Sequence, residues 1–213
     1  MKKKTILNAL SYLEKIIEDQ DGIEALKTVK KYASQIEEVK GADVRSDGFP
    51  VPVEATNEGA YTLYSDGACR GNPGPGAWAS MGQDLEGRII FEKSGVDMRT
   101  TNNQMELDGA IYALEAVKNH FEEQGIIGFQ KIFLYSDSRY VVDGIEKWVP
   151  GWKVRGWKKA DKKSPENVER WKQLDQIVSE LNVKFYWVKG HSGHPQNDRC
   201  DLLANQALDQ AGF

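Results

Sequence analysis

Cysteine is scarce: Cys69 and Cys200 are the only two in 213 residues. That is too few for a disulfide framework, and they lack the CxxC spacing of a metal site, so a reducing cytoplasm is the expected setting. Long apolar runs are missing as well. None approaches the ~18 residues that a membrane span needs, which excludes a transmembrane reading. The opening Met1-Lys2-Lys3-Lys4 is followed by Glu14, Lys15, Glu18 and Asp19 rather than a continuous apolar stretch, so no signal peptide is expected. An excess of one charge is absent too. Against 28 basic residues stand 32 acidic ones, a net -4, which excludes a wholly basic nucleic-acid coat and leaves room for local patches.

At roughly 100–200 residues per domain, the length fits one domain with an appendage, or two small domains. Residues 1–40 carry two apolar series at helical spacing, Ile6, Leu10, Leu13 and Ile17, then Ile23, Leu26, Val29, Ala33 and Ile36. Asp19-Gln20-Asp21-Gly22 between them reads as a turn. This predicts a helical hairpin, serving either as a packing or dimerisation appendage or as a module for nucleic acid or a protein partner. Residues 41–59 turn to Gly, Pro, Asp, Asn and Glu without a period and read as a linker. Residues 60–213 then form the main domain, expected as a monomer.

In that domain strands and helices alternate. Strands are expected at Tyr61 to Ser65, Ala77 to Gln83, Arg88 to Ser94, Lys131 to Ser136 and Val183 to Lys189. Helices are expected at Met105 to Phe121, after Asp137 to about Trp148, at Val168 to Leu181 and at Asp198 to Gln210. Helices between strands imply crossovers and a mixed α/β sheet.

Four separated carboxylates carry the chemistry. Asp66 and Asp137 each follow an apolar strand in a Tyr-Ser-Asp setting, and ligands gather outside the carboxyl ends of strands in such sheets. Glu106 has Ala110 and Ala113 at i+4 and i+7, which makes its helical face the small, inward one. Asp201 falls in the first turn expected for the last helix. Four converging acids repel one another, and bound divalent cations remove the conflict. An all-oxygen set suits Mg²⁺ or Mn²⁺, and two such ions about 3.5–4 Å apart clamp an in-line phosphoryl displacement.

The stretch YTLYSDGACRGNPGPGAW (Tyr61 to Trp78) resembles the opening of type 1 ribonuclease H. TTNNQMEL (Thr100 to Leu107), LYSDSRYVVDGI (Leu134 to Ile145), GWKVRGWKKADKK (Gly151 to Lys163) and WVKGHSGHPQNDRCDLLA (Trp187 to Ala204) follow in that family's order. The first 60 residues lie outside the resemblance. It implies a ribonuclease H fold, a five-stranded mixed sheet flanked by helices. It also implies hydrolysis of the RNA strand of RNA–DNA hybrids, leaving 5′-phosphate and 3′-hydroxyl ends. On the family pattern Asp66, Glu106, Asp137 and Asp201 bind the catalytic metal, two Mg²⁺ ions with Mn²⁺ as a substitute. His191, in a glycine-flanked loop, assists through proton transfer or through metal and product release, and His194 supports the loop.

The resemblance also places the substrate. Asn72, Asn102 and Asn103 match positions that contact the nucleic acid, and Arg99, Thr101 and Asn167 match a pocket for a DNA-strand phosphate. From Lys147 to Lys172, nine Lys or Arg face three acids, a net +6, with Trp148, Trp152, Trp157 and Trp171 interleaved. That composition fits backbone neutralisation with stacking, or indoles packing the segment on itself. It resembles the family's basic protrusion, which puts Lys153, Arg155, Trp157, Lys158 and Lys159 on the hybrid. One departure stands out. Arg139 sits where related bacterial sequences often have Gln, and its cation could pair with a phosphate or draw on Asp137. Two readings of another class remain: a non-cleaving hybrid-binding module, which loss of a carboxylate would favour, and a DNA-directed nuclease on the same sheet.

Overall fold

The computed structural model describes Leu10, Leu13, Ile17 and residues 19–35, 49–190 and 192–213. Most of the first helix expected in the hairpin, and His191, lie outside these residues. The chain divides into two units, residues 1–44 and 45–213. The first contains helix α1 (Gln20–Gln35). Asp19 begins it, its Oδ1 accepting the Gly22 N–H at 2.6 Å, so the turn expected at 19–22 is instead a helix start. Asp at a helix start satisfies an orphan backbone donor, and the same residue type also favours turns.

The second unit opens with α2 (Val53–Glu58), then β1 (Tyr61–Cys69), β2 (Gly74–Gln83), β3 (Ile89–Thr100), α3 (Asn102–Glu123) and β4 (Lys131–Ser136). α4 (Arg139–Asp143) runs through a π-helical turn (Gly144–Trp148) into α5 (Val149–Val154). α6 (Val168–Glu180), β5 (Asn182–Trp187) and α7 (Pro195–Gln210) complete it. Among the described residues, no helix is long and apolar enough to cross a membrane.

The strands form the expected five-stranded mixed sheet, in the order β3-β2-β1-β4-β5. β1 pairs antiparallel with β2 and parallel with β4. Side chains alternate across a strand, so β1 sends Leu63 to one face and Tyr64 to the other. Leu63, Leu107, Ile111, Leu114, Leu134, Trp171 and Leu174 form one core, under α3 and α6. Tyr64, Ala79, Met81, Tyr135, Cys200, Ala204 and Leu208 form the other, under α7. Arg170 grips Asp108 with two hydrogen bonds, 2.8 and 3.1 Å, locking α6 onto α3.

The linker expected over 41–59 is corrected in its second half. Ala55 is fully buried in the α7-side core, and Phe49 and Val51 pack against it. The buried amide of Gln83 donates to the Phe49 carbonyl at 3.0 Å, and that of Gln196 to the Pro50 carbonyl at 2.6 Å. Tyr135 donates its hydroxyl to Glu54 Oε1 at 3.0 Å. A segment this short has too few apolar residues for a period, yet its backbone supplies acceptors that buried amides require.

Among the boundaries that move, three bear on the site or the sheet around it. β1 runs on through Asp66 to Cys69, paired with β2 as far as Gly76. β3 extends to Thr100, because its pairing with β2 continues where its side chains are exposed and no longer alternate. α7 starts at Pro195, which puts Asp201 beyond the first turn.

Candidate metal centre and nucleic-acid interface

β1 and β4 bring two acids side by side. Ser65 pairs with Ser136 in parallel register, and the next residue on each chain is Asp66 or Asp137. α3 adds the third. Its start is fixed by a capping box, Thr101 accepting from the Gln104 N–H while Gln104 accepts from the Thr101 N–H. Glycines let it lie directly on the sheet. A Cβ at position 67 would stand 2.5 Å from Glu106 N, and one at 109 would stand 3.1 Å from Asp66 O. The helix therefore rests on β1 with Glu106 turned to Asp66, on the small inward face expected from Ala110 and Ala113, both fully buried.

Asp66, Glu106 and Asp137 each offer a carboxylate oxygen, and these atoms lie within 4.8 Å of one another. Asp66 is 7% exposed and Glu106 is 6%. Burial, then the charge of Asp137, push the Asp66 carboxyl up to about 8, although Oδ1 accepts the Gly67 N–H at 2.7 Å. Burial first, and then Asp66 and Asp137, also hold Glu106 well above the usual carboxylate range. Glu106 Oε1 accepts from Asn102 Nδ2 at 3.3 Å, while the buried Oε2 has no partner among the described residues. Three converging acids and an orphaned buried oxygen form a donor set suited to a hard divalent cation such as Mg²⁺ or Mn²⁺.

Asp201 belongs to the surroundings of this group. Its charge contributes to the raised Asp66 pKa, but it is not among the three carboxylates whose oxygens converge. Asn205 Nδ2 donates to both its Oδ1 and its carbonyl oxygen at 2.9 Å. Two neighbours went unanticipated in the sequence. Asp198 also acts on Asp66; it precedes Asp201 by three residues and so shares its helical face. Asn197 Nδ2 donates to Asp137 Oδ2 at 3.3 Å. At Gly190 the backbone comes so close to Asp137 that a Cβ there would meet Oδ2 at 2.4 Å. His194 stands just before α7 without a side-chain capping hydrogen bond, its ring 6.4 Å from that of Tyr135.

The residues expected to meet nucleic acid fall into three groups. Asn72 Oδ1 accepts the Asn102 N–H at 3.3 Å, tying the β1–β2 turn to the start of α3, with Asn103 exposed beside it. Cys69 donates its thiol to the Gly71 carbonyl at 2.6 Å, as a turn residue would.

The second group is wired together by a residue the sequence did not single out. Gln104 Nε2 donates to Asn167 Oδ1 at 3.1 Å, so the Thr101 cap and Asn167 are joined through one amide. Asn167 Nδ2 and the buried Trp171 indole both donate to the Tyr140 hydroxyl, at 3.1 and 3.2 Å. Asn167 itself has φ 56°, a left-handed backbone that Asn tolerates better than most residues. Arg99 is exposed at the end of β3.

In the basic segment the packing role claims most of the indoles. Trp148, Trp152 and Trp171 pack with centroids 5.8–6.4 Å apart, and Trp157 lies half-buried against the α6-side core. Lys153 pairs with Asp175 at 2.9 Å, and Arg155 Nε donates to the Lys158 carbonyl at 3.1 Å. Lys158 is exposed and Lys159 half-exposed. Arg139 makes no ion pair with Asp137; its guanidinium stacks on Trp187, 3.9 Å from the ring centroid.

Residues 58–209 match the family model described as RNase H. A ribonuclease H from Cupriavidus necator is 43% identical over 151 residues, 71% of this chain and 97% of that protein. One from Bradyrhizobium diazoefficiens is 47% identical over 150 residues, 70% of this chain and 90% of that one. Among solved structures, LC11-RNase H1 in complex with RNA/DNA hybrid superposes with a TM-score of 0.55 at 26% identity, covering 71% of this chain and 98% of that one.

Proposed function

The chain belongs to the ribonuclease H family, and from that premise we propose that it cuts the RNA strand of RNA–DNA hybrids with two divalent cations, leaving 5′-phosphate and 3′-hydroxyl ends. The observation that carries this reading is the convergence of Asp66, Glu106 and Asp137 around the unpartnered Glu106 Oε2. The all-oxygen donor set suits Mg²⁺, with Mn²⁺ as a substitute. When bound, the cations polarise the scissile phosphate and make water a nucleophile at neutral pH.

Each protein group has its own part. Asp66, Glu106 and Asp137 hold the cations, and Asp201, kept in place by Asn205, completes the acidic set. Glu106 is oriented by Asn102 and Asp137 by Asn197. His191 moves a proton or speeds product release. A hybrid is read by shape, phosphates and 2′-hydroxyls rather than base sequence. Asn72, Asn102 and Asn103 supply amides toward the minor groove. Arg99, Thr101 and Asn167, joined by Gln104, receive a DNA-strand phosphate. Lys158 and Lys159, which like Lys162 and Lys163 have no ion pair among the described residues, are the cations of the basic segment that meet the backbone, with Lys153, Arg155 and Trp157 shaping it.

The test is cleavage of an end-labelled RNA–DNA hybrid beside duplex RNA, duplex DNA and single strands, with Mg²⁺ and then EDTA. Cutting of only the hybrid's RNA strand, abolished by EDTA and by Asp66→Asn, is expected. Binding without cutting by folded protein would favour the hybrid-binding module, and cutting of duplex DNA would favour the DNA-directed nuclease.

A further inference from the structure

At the rim of the carboxylate cluster stands a cation that the protein does not use internally. Arg70, Arg88, Arg170 and Arg199 all pair with carboxylates. Arg139, exposed two residues past Asp137, has no ion pair or side-chain hydrogen bond among the described residues. It is nevertheless held. Its guanidinium carbon lies 3.9 Å from the centroid of the Trp187 ring, and Trp187 closes β5 opposite Ser136 of β4. The same indole donates its N–H to the Asp137 main-chain carbonyl at 2.9 Å. One ring thus fixes the backbone of a carboxylate and, through its face, the neighbouring guanidinium.

Stacking occupies the flat face of a guanidinium and leaves its edge, with parallel N–H donors, open to a bidentate acceptor such as phosphate. A polyanion approaching Asp66, Glu106 and Asp137 is repelled, and a cation fixed at their rim offsets that repulsion locally. We infer that Arg139, seated on Trp187, is a clamp for a phosphate of the RNA strand adjoining the one that is cut. Trp187 is the positioning residue for both Arg139 and Asp137. The inference rests on the hybrid-cleavage reading and names a contact within it.

The experiment pairs hybrid binding in EDTA, titrated with salt, with steady-state cleavage in Mg²⁺. Arg139→Gln should reduce the slope of log K against log[salt] by about one. It should raise KM about tenfold and change kcat far less. Arg139→Lys should restore the slope but only part of the KM, because an ammonium lacks the flat fork. Trp187→Phe, which keeps a ring and loses the N–H, should instead lower kcat more than it raises KM. If wild type cleaves hybrids and Arg139→Gln keeps both slope and KM, the clamp is refuted while the activity stands. An equal loss of slope on duplex DNA overturns the assignment to the RNA strand. Should wild type not cleave hybrids, the activity reading fails, and the slope difference in EDTA still decides whether Arg139 contacts phosphate.

Discussion

Tyr135 donates its hydroxyl to Glu54 at 3.0 Å, so the strand that leads into Asp137 is tied to a helix lying before residue 60. The same stretch accepts hydrogen bonds from Gln83 and Gln196 and buries Ala55.

Removing residues 1–48 should therefore leave a folded unit, whereas removing 1–59 should not leave an equally stable one. Gln83 and Gln196 each keep a second acceptor but lose one buried N–H partner, at about 1–3 kcal/mol apiece, so the shorter chain should melt on the order of 10 °C lower. Thermal unfolding of the two truncated proteins checks this. Equal Tm values would show that 49–59 is dispensable.

Gly67 governs how closely α3 approaches β1. Gly67→Ala places a Cβ 2.5 Å from Glu106 N, and only a shift of the helix relieves that clash. A loss of about 1–3 kcal/mol in stability is expected, with a drop in kcat of at least about tenfold as Glu106 leaves Asp66. Urea unfolding and initial rates measure both. Unchanged kcat would separate the helix position from the chemistry.

Asp66 is raised in the folded protein from its ordinary 3.8 to about 8. Between those values the native state binds a proton that the unfolded chain has released, so stability falls as pH rises. The metal-free protein should accordingly lose Tm from pH 5 to pH 8. Glu106 is displaced the same way and adds to the trend. Asp66→Asn should flatten the profile and raise Tm at pH 8, and it should lower Mg²⁺-dependent cleavage by about a thousandfold or more. Differential scanning calorimetry in EDTA across pH provides the first reading. A profile rising with pH would contradict the buried charge conflict.

Tyr140 serves two donors at once, Asn167 and the Trp171 indole. Tyr140→Phe leaves a fully buried indole N–H without its acceptor, costing about 1–3 kcal/mol, or roughly 3–10 °C in Tm. It also releases Asn167 from one side, so KM for the hybrid should rise severalfold. A change in Tm with KM intact would confine this network to folding.

Double reversal, Lys158→Glu with Lys159→Glu, should raise KM and reduce the salt slope by about two, leaving kcat nearly as it was. Lys153→Gln should do less, because Lys153 is already paired with Asp175. If the two variants had equal slopes, the division of the basic segment into free and paired cations would fail.

Much of this was legible in the sequence. Asp66 and Asp137 announced themselves because apolar strands precede them, and Glu106 because alanines follow it at helical spacing. What stayed hidden depends on contacts between distant residues. Gln104 looks like a cap partner and nothing more until Asn167 arrives from 63 positions away. Residues 49–58 lack periodicity because their contribution is backbone carbonyls, the Glu54 carboxylate and three scattered apolar side chains, Phe49, Val51 and Ala55, and so few contacts leave no pattern. The outer half of β3 is held by hydrogen bonds to β2 while its side chains face solvent, so hydrophobic alternation could not reveal it. The indoles of the basic segment were ambiguous for another reason: the same residue type stacks on bases and on other indoles, and only their mutual distances decide.

The extension of β1 beyond Asp66 has a consequence for how the site is assembled. Asp66 lies in mid-strand, opposite Ala79, with ladder pairs on both sides of it along the β1–β2 seam. Pairing on both sides should make hydrogen exchange along this part of the seam slow. The position of this carboxylate is thus set by strand pairing rather than by a loop.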